Sequence, residues 1–373
     1  METPTSVDVK KANLERATNE RPSVNEWVIR PYRPEDAAAW QAFLQDSNNG
    51  TLFHDLEFLA YHPPGKYNFH HLVAFRGTDI EAVIPGALSA DGIFVSLSGA
   101  SIGGPAVKKS LPAEVCMHLV EALQLYCNSA GWQGIEITLP PPIYHDEPDQ
   151  IIEFALHARG FQLVHRSMSL LIPLDHEKGD NYQHLFRQSQ RSYVRACRHR
   201  GVVVTETGIE GLGAFLELLA ETYARLEALP THTPEEIETL FHRVPARLRI
   251  WSAKLEETTI ASALLFELNH KICNTFYICD RASHREFHGV TVLFAEAIDV
   301  LTRRGFRYLD LGPSASSDHF NRGVVSFKES LGARAFCRDR WRWNLSDTPI
   351  RLAEAKRDKG YGRSYRSDTD PAL

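Results

Sequence analysis

The chain has 373 residues, of which 43% are hydrophobic and 24% are charged, and its net charge is −6. This length predicts two domains with ordinary cores, and the acidic balance excludes a general nucleic-acid coat. The six cysteines have no zinc spacing, the histidines form no metal pattern, and no apolar run suits a signal peptide or a membrane span, so we expect a cytoplasmic protein without a metal site.

Strand and helix patterns alternate through the first half of the chain. WVIRPYR is typical of a strand, and PEDAAAWQAFLQDS is typical of a helix, because proline and acids occupy its first turn. HHLVAFRGTDIEAVIPGAL predicts a β-hairpin around Gly-Thr-Asp. A long amphipathic helix then ends at Gly131, and WQGIEITLP predicts a strand that prolines terminate.

A basic segment, RQSQRSYVRACRHRG, opens the second half. At about 100° per residue, a helix would place four arginines on one face: Arg187, Arg191, Arg195 and Arg198. Arginines four residues apart repel each other by roughly 0.2–0.5 kcal/mol per pair, and a bound phosphate would reverse that sign. A solvated face whose charges meet acids from elsewhere in the fold is the alternative, and both interpretations remain open for this segment alone.

The second half repeats the order of elements found in the first. RIWSAKLEETTIASALLFEL predicts a second hairpin, and KICNTFYICD predicts the strand after it. Leu119–Pro140 aligns with Leu293–Pro313 nearly without gaps, so that Gly131 matches Gly305. Each copy continues with a helix, a glycine and a strand, in FALHARGFQLV and in FKESLGARAFCRDRW. An order that occurs twice predicts two domains of one architecture.

The predicted fold is therefore α/β (α+β), with a mixed, mostly antiparallel sheet flanked by helices in each domain. We place the domains at residues 25–163 and 164–345. Polar tails are predicted for residues 1–24, expected to be mobile, and for residues 346–373.

A hairpin, a third strand and a turn into a helix form the order that this chain shares with the GNAT superfamily. The segments SGASIGGPAV, FRQSQRSYVRACRHRGVVV, GFRYLDLGPS and GVVSFKESLGA carry the resemblance. The tandem copy resembles the FemAB/FemX-type aminoacyltransferases of peptidoglycan bridge formation and related GNAT-like acyltransferases. The resemblance implies transfer of an acyl or aminoacyl group to an amine by direct attack in the cleft between the domains. The second domain would hold the donor, and the degenerate first domain the acceptor.

For the donor, the resemblance implies acyl-CoA or an aminoacyl-tRNA, and both stay open. GNAT domains hold the pyrophosphate of coenzyme A on an R/Q-x-x-G-x-G/A turn that begins a helix. Here the turn is Glu286–Thr291, which keeps Gly289 followed by Val290, whereas Arg285 lies one position early. With Arg191 and Arg195, these residues are our candidates for donor binding. The acceptor would be a small-molecule or peptidoglycan-precursor amine, and tRNA is a possible partner.

Three residues are candidates for proton transfer and catalysis. Asp310 alternates with leucines at a strand end, where it would face the cleft or serve only as a strand-end cap. His319 follows in a polar loop, as a candidate base or a surface histidine. Tyr277 lies on the third strand, where a wall of the cleft is the alternative to catalysis.

Four further residues are candidates for substrate binding. Lys328 matches the Phe-Lys position of the resembled family and would hold a phosphate, or be an exposed helix lysine. Gly103 and Gly104 predict a tight turn, at the cleft if the resemblance holds. Asp280 follows the third strand, where the donor should pass.

Two hypotheses of different classes follow. The first is an acyltransferase of the FemAB/GNAT type. The alternative is a non-catalytic GNAT-like protein that binds an anionic ligand in the interdomain cleft, which the altered pyrophosphate turn favours. An RNA-binding protein is disfavoured by the overall acidity and by the lack of interleaved aromatic residues.

Overall fold

The computed structural model describes residues 27–174 and 181–347. The predicted tail at residues 1–24 lies outside the described residues, as do residues 348–373 of the predicted C-terminal tail. Strands and helices alternate throughout, which confirms the predicted α/β class. No helix in the described ranges is long and apolar enough to cross a membrane.

The first half of the molecule comprises residues 27–161. Its strands are β1 (Trp27–Pro31), β2 (Leu72–Arg76), β3 (Asp79–Ile84), β4 (Ala87–Leu88), β5 (Ile93–Ser96), β6 (Ala106–Val107) and β7 (Gly134–Thr138). Its helices are α1 (Ala37–Asp46), α2 (Leu56–Leu59), α3 (Ala113–Ser129) and α4 (Ile151–Ala158).

The second half comprises residues 162–174 and 181–347. Its strands are β8 (Gln162–Pro173), β9 (Val202–Thr207), β10 (Leu248–Leu255), β11 (Thr258–Glu267), β12 (Ile272–Asp280), β13 (Tyr308–Ser316), β14 (His319–Phe320) and β15 (Arg334–Asn344). Its helices are α5 (Asn181–Leu185), α6 (Gln188–His199), α7 (Leu212–Arg225), α8 (Pro234–Arg243), α9 (Gly289–Arg303) and α10 (Arg322–Ser330).

The predicted repeat of a long helix, a glycine and a strand is confirmed in both halves. Helix α3 is followed by Gly131 and strand β7, and helix α9 is followed by Gly305 and strand β13. The φ angles of Gly131 and Gly305 are +73° and +95°, in the region that favours glycine. Both predicted hairpins, β2–β3 and β10–β11, are also present.

The described strands form two sheets. The smaller has the order β1-β2-β3-β6, and the larger has the order β4-β5-β7-β15-β8-β13-β12-β11-β10-β9, with β14 beside β13. Because β15 lies between β7 and β8, one sheet continues through both halves. The domain boundary predicted between residues 163 and 164 falls inside β8.

One hydrophobic core also joins the halves. It combines side chains of α7, α8 and β11 with aromatic side chains of the first half. The rings of Phe58 and Phe266, for example, lie 5.9 Å apart edge to face. This packing holds the segment around α2 against the second half, next to β12.

Strands β12 and β13 are parallel neighbours that separate early. They pair only from Ile272–Tyr308 to Asn274–Asp310, although β12 continues to Asp280 and β13 to Ser316. On its other side β12 has an irregularity at Phe276, where its register with β11 shifts. Backbone groups beyond the separation are therefore released from this strand pairing.

Candidate active site

A buried lysine lies where β12 and β13 separate. Lys328, on α10, is 6% exposed, and its Nζ donates to the carbonyl oxygens of Leu311 and Gly312, the latter at 3.1 Å. Burial lowers the pKa of Lys328 to about 8, and the nearby Asp310 opposes this shift. The side chain is therefore mostly charged at neutral pH. It is neither exposed nor bound to a carboxylate in the described structure.

Asp310 is enclosed and does not face a cleft, contrary to one of the two alternatives. Its Oδ2 accepts from Arg338 Nη2 at 2.5 Å and from the hydroxyl of Tyr144, and its Oδ1 accepts the Gly312 N–H at 2.7 Å. The carboxylate is 0% exposed because these neighbours cover it. With hydrogen-bond donors at both of its oxygens, Asp310 anchors β13 to β15 and to the first half.

A cavity of about 530 Å³ borders β13 just after Gly312. We call it the sheet cavity, because four neighbouring strands provide its floor: Thr138, His165, Ser167, Pro313, Ser314, Ala315, Ser316, Arg338 and Arg340. Its remaining walls are Ser101, His319, Asn321 and Val324. The structure thus places His319 in a cavity, although its own side chain is exposed.

A second cavity, of about 360 Å³, borders β12 just after the separation. We call it the aromatic cavity, and it is lined by Phe53, Phe58, Tyr61, His62, Lys66, Tyr67, Gly99, Ala100, Ser101, Thr231, His232 and Phe276. Ser101 lines both cavities, so they adjoin between the two halves. Sequence reasoning missed most of these residues, because they come from short segments that carry no motif.

Tyr277 lies behind the wall of the aromatic cavity. Its hydroxyl bonds His232 Nδ1 at 2.9 Å and accepts the His232 backbone N–H at 3.1 Å, while His232 Nε2 lies 2.5 Å from the Tyr61 hydroxyl. Burial raises the pKa of Tyr277 to about 12 and lowers that of His232 to about 4. At neutral pH all three side chains are therefore uncharged, and Tyr61 and His232 are the members that line the cavity.

Gly103 and Gly104 form the predicted turn. The loop just before this turn carries Ser101, which lines both cavities. The Gly103 N–H donates to the Thr138 carbonyl at 2.7 Å, and the Gly104 N–H to Ser96 Oγ at 2.9 Å. A Cβ at Gly103 would lie 2.7 Å from the Leu97 nitrogen. Both glycines are buried, so their place in the structure is to hold the loop that carries Ser101.

The candidate pyrophosphate turn lies at the start of α9. Gly289 is the first residue of this helix, followed by Val290, and a Cβ at Gly289 would lie 2.9 Å from the Cβ of Ala261. This close approach accounts for the glycine by packing alone. Arg285 Nε bonds Asp280 Oδ2 at 2.6 Å, so these two candidates are paired with each other.

The basic segment forms helix α6, which packs against this turn. Cys197 Sγ bonds the Phe287 carbonyl, and Arg198 pairs with Glu296 at 3.0 Å. Within the described residues, the side chain of Arg191 bonds the Gln183 carbonyl, and that of Arg195 bonds the Ser192 hydroxyl. Acids therefore neutralise Arg198, whereas Arg191 and Arg195 have no carboxylate partner among the described residues.

Residues 185–322 match the family model described as an acetyltransferase (GNAT) domain. This part of the second half is therefore similar to a GNAT domain. No curated protein matches it significantly.

Solved structures extend the likeness to both halves of the chain. The crystal structure of FemX is similar with a TM-score of 0.66 at 14% identity, covering 86% of this chain and 98% of that one. The C-terminal domain of a putative lysylphosphatidylglycerol synthetase from Agrobacterium fabrum has a TM-score of 0.53 at 12% identity, with 84% and 93% covered.

A tandem GNAT protein from the clavulanic acid biosynthesis pathway has a TM-score of 0.50 at 12% identity and covers 86% of this chain and 98% of its own. At these identities the likeness shows a shared fold. The predicted resemblance to FemAB-type tandem GNAT proteins is confirmed at that level.

Proposed function

We propose that the protein transfers an acyl or aminoacyl group to an amine in the cleft between its two halves. The separation of β12 from β13 beside the buried Lys328 is the observation that carries the proposal. Direct attack of an amine on a thioester or ester produces a negatively charged oxygen, which preformed donors in a dry site stabilise best. Lys328 supplies a buried positive charge at the point where the two strands separate.

The two cavities give each substrate a place beside this point. The sheet cavity borders β13 from Pro313 onward, and the aromatic cavity borders β12 at Phe276. Because Ser101 lines both cavities, we expect groups bound in the two cavities to lie next to each other. A direct transfer between two substrates requires this proximity.

The proton of the attacking amine needs a path away from the reaction centre. We expect it to leave through Tyr61 and His232, because His232 is uncharged and the two side chains are hydrogen-bonded at the cavity wall. The new bond joins the amine nitrogen to the acyl carbon, and the leaving thiol or ribose hydroxyl takes up a proton. Asp310 is not proposed as the base, since its oxygens are occupied.

The donor remains to be chosen between a thioester and a charged tRNA. The tandem GNAT protein from clavulanic acid biosynthesis was solved without AcCoA, and its TM-score with this chain is 0.50. The TM-score with FemX is larger, at 0.66. In this chain Arg191 and Arg195 lie on the helix beside the α9 turn and have no acid partner within residues 27–174 and 181–347, so we expect either donor to meet positive charge there.

Calorimetric titration with coenzyme A and acetyl-CoA tests the donor, on wild type and on Arg191→Ala/Arg195→Ala. For a thioester donor held by α6 we expect binding of wild type in the micromolar range and affinity about tenfold weaker or more in the double variant, as expected for lost charged hydrogen bonds. Equal affinities would contradict a donor role of the two arginines. The absence of binding to wild type would direct the assay to aminoacyl-tRNA.

Turnover tests the reaction centre with either donor. Free thiol from acetyl-CoA, or amino acid lost from charged tRNA, is measured with amino acids, amino sugars and short peptides as amines. Lys328→Met should lower kcat by about 10²–10³, the usual cost of one oxyanion donor. Lys271→Met is the matched control, because Lys271 Nζ also bonds backbone carbonyls, those of His145 and Asp146. Binding of an anionic ligand without turnover of any donor would favour the non-catalytic alternative.

A further inference from the structure

The floor of the sheet cavity is a patch of polar and cationic side chains that strand register assembles. Arg340 on β15 lies opposite Thr138 on β7 and His165 on β8. Arg338 lies opposite Ser167 on β8, which in turn lies opposite Ser316 on β13. Since side chains two residues apart in a strand share a face, one face of four neighbouring strands presents this patch to the cavity.

Arg338 is the most buried member of this patch. It is 3% exposed, and its Nη2 group is engaged by Asp310 and by the Tyr144 hydroxyl. Its Nε has no hydrogen-bond partner among the described residues. Arg338 itself lines the cavity, so its guanidinium adds positive charge to the floor, and its Nε–H is not committed to a described protein acceptor.

The other charges that face the cavity leave it short of acid. Arg340 is about half exposed and lies 3.3 Å from Thr138 Oγ1 and 3.6 Å from Glu136 Oε1. Asp318 lies 3.9 Å from His165 but is itself largely exposed. Among the described residues, none that lines the cavity carries a carboxylate.

The N-terminus of helix α10 lies at another side of the cavity, which we call the roof. Asn321 caps α10 by accepting the Val324 N–H at 3.1 Å, and both residues line the cavity. The N-terminus of a helix carries partial positive charge and attracts anions. The arginines of the floor and the N-terminus of α10 therefore both favour an anionic ligand. The serines of the lining favour a ligand that is rich in hydroxyl groups.

We propose that the sheet cavity binds an oxyanion, the phosphate or carboxylate of one of the two substrates. The inference rests on the proposed function only in its last step, which assigns the oxyanion to a reacting molecule. At about 530 Å³ the cavity also accommodates the polar groups next to that oxyanion. Arg340 would contact the oxyanion directly, and Arg338 would support it from below.

Calorimetric titration with inorganic phosphate, pyrophosphate and acetate, at constant ionic strength, tests the site without any turnover. The variant is Arg340→Gln, which removes a half-exposed charge and leaves the Asp310–Arg338 pair intact. Arg342→Gln is the matched control, because Arg342 lies two residues along the same strand, 3.7 Å from the same Glu136, but outside the cavity lining. We expect Kd for the bound anion to rise about tenfold in Arg340→Gln and to change less than about twofold in Arg342→Gln.

The comparison of probes identifies the oxyanion. Binding of phosphate or pyrophosphate alone indicates a phosphate-bearing substrate, and binding of acetate alone a carboxylate. No binding of any probe to wild type, or equal weakening in the two variants, would overturn the site, since equal weakening is the effect of net charge. Failure of turnover with intact anion binding would reject the proposed function and leave the site in place.

Discussion

Each half of the molecule contains a parallel pair of strands with a long helix between them in the chain, and the two pairs differ beyond the point where their pairing ends. In the first half, β5 and β7 pair from Ile93–Gly134 to Ser96–Ile137. Beyond that point the turn of Gly103 and Gly104 closes the gap with hydrogen bonds to the Thr138 carbonyl and to Ser96 Oγ, and Leu97 is buried there.

In the second half the equivalent pair, β12 and β13, opens onto two cavities. The gap is bordered by the ammonium of Lys328 and by the ion pair of Asp310 with Arg338. Burying such charges is costly, and apolar residues of similar volume usually stabilise a protein at least as well. The same backbone framework is thus completed with neutral packing in one half and with charge in the other. This difference supports a catalytic second half.

The largest effect on stability should come from breaking the buried ion pair. Arg338→Met leaves the carboxylate of Asp310 without its cation in the interior, and we expect the free energy of unfolding to fall by about 3–5 kcal/mol. Urea-induced unfolding measures this loss. The double variant Asp310→Leu/Arg338→Met should recover most of it, since the uncompensated charge is then gone. A loss below about 1 kcal/mol in the single variant would mean that the pair does not stabilise the contact between β13 and β15 as described.

The second prediction uses the pKa of Lys328. If its ammonium stabilises the reaction, kcat should fall by up to about tenfold per pH unit above the pKa of about 8. Stability should change in the opposite direction. The folded pKa of about 8 lies below the ordinary 10.5, so between these values the unfolded chain binds the proton that the folded chain has released, and stability rises with pH.

Lys328→Met is the control for both profiles. It should remove the contribution of this residue to the rise in stability between about pH 8 and 10.5, which is measured by urea unfolding across that range. Lys328→Arg, which stays charged, should keep whatever activity it has above pH 8. A wild-type kcat that stays level to pH 10 would contradict the role of the ammonium.

The repeated order of helix, glycine and strand is predictable from the sequence. The charged surroundings of the point where β12 and β13 separate are not. The helix–glycine–strand repeat depends on local periodicity and on positive φ at Gly131 and Gly305, which single segments reveal. The environment of Asp310 depends on Tyr144 and Arg338, which are 166 and 28 residues away. Its alternation with leucines shows only that it lies on the opposite face, not that β15 and the first half cover that face.

The smallest effect on stability should come from the first half, where the turn of Gly103 and Gly104 closes the space beyond β5 and β7. A variant at Gly103 distinguishes a packing role of this residue from a role in binding. In Gly103→Ala the new methyl group would lie 2.7 Å from the Leu97 nitrogen, so the loop must move. We expect the free energy of unfolding to fall by about 1–3 kcal/mol, as for other overpacked sites. Gly213→Ala is the control within a helix, where a Cβ meets no atom within 4 Å, and it should stabilise the protein by roughly 0.5–1 kcal/mol. If the first-half gap is purely a packing site, donor affinity of the folded Gly103→Ala protein should equal that of wild type. A loss of donor affinity out of proportion to the loss of stability would show that the first half also takes part in holding the donor.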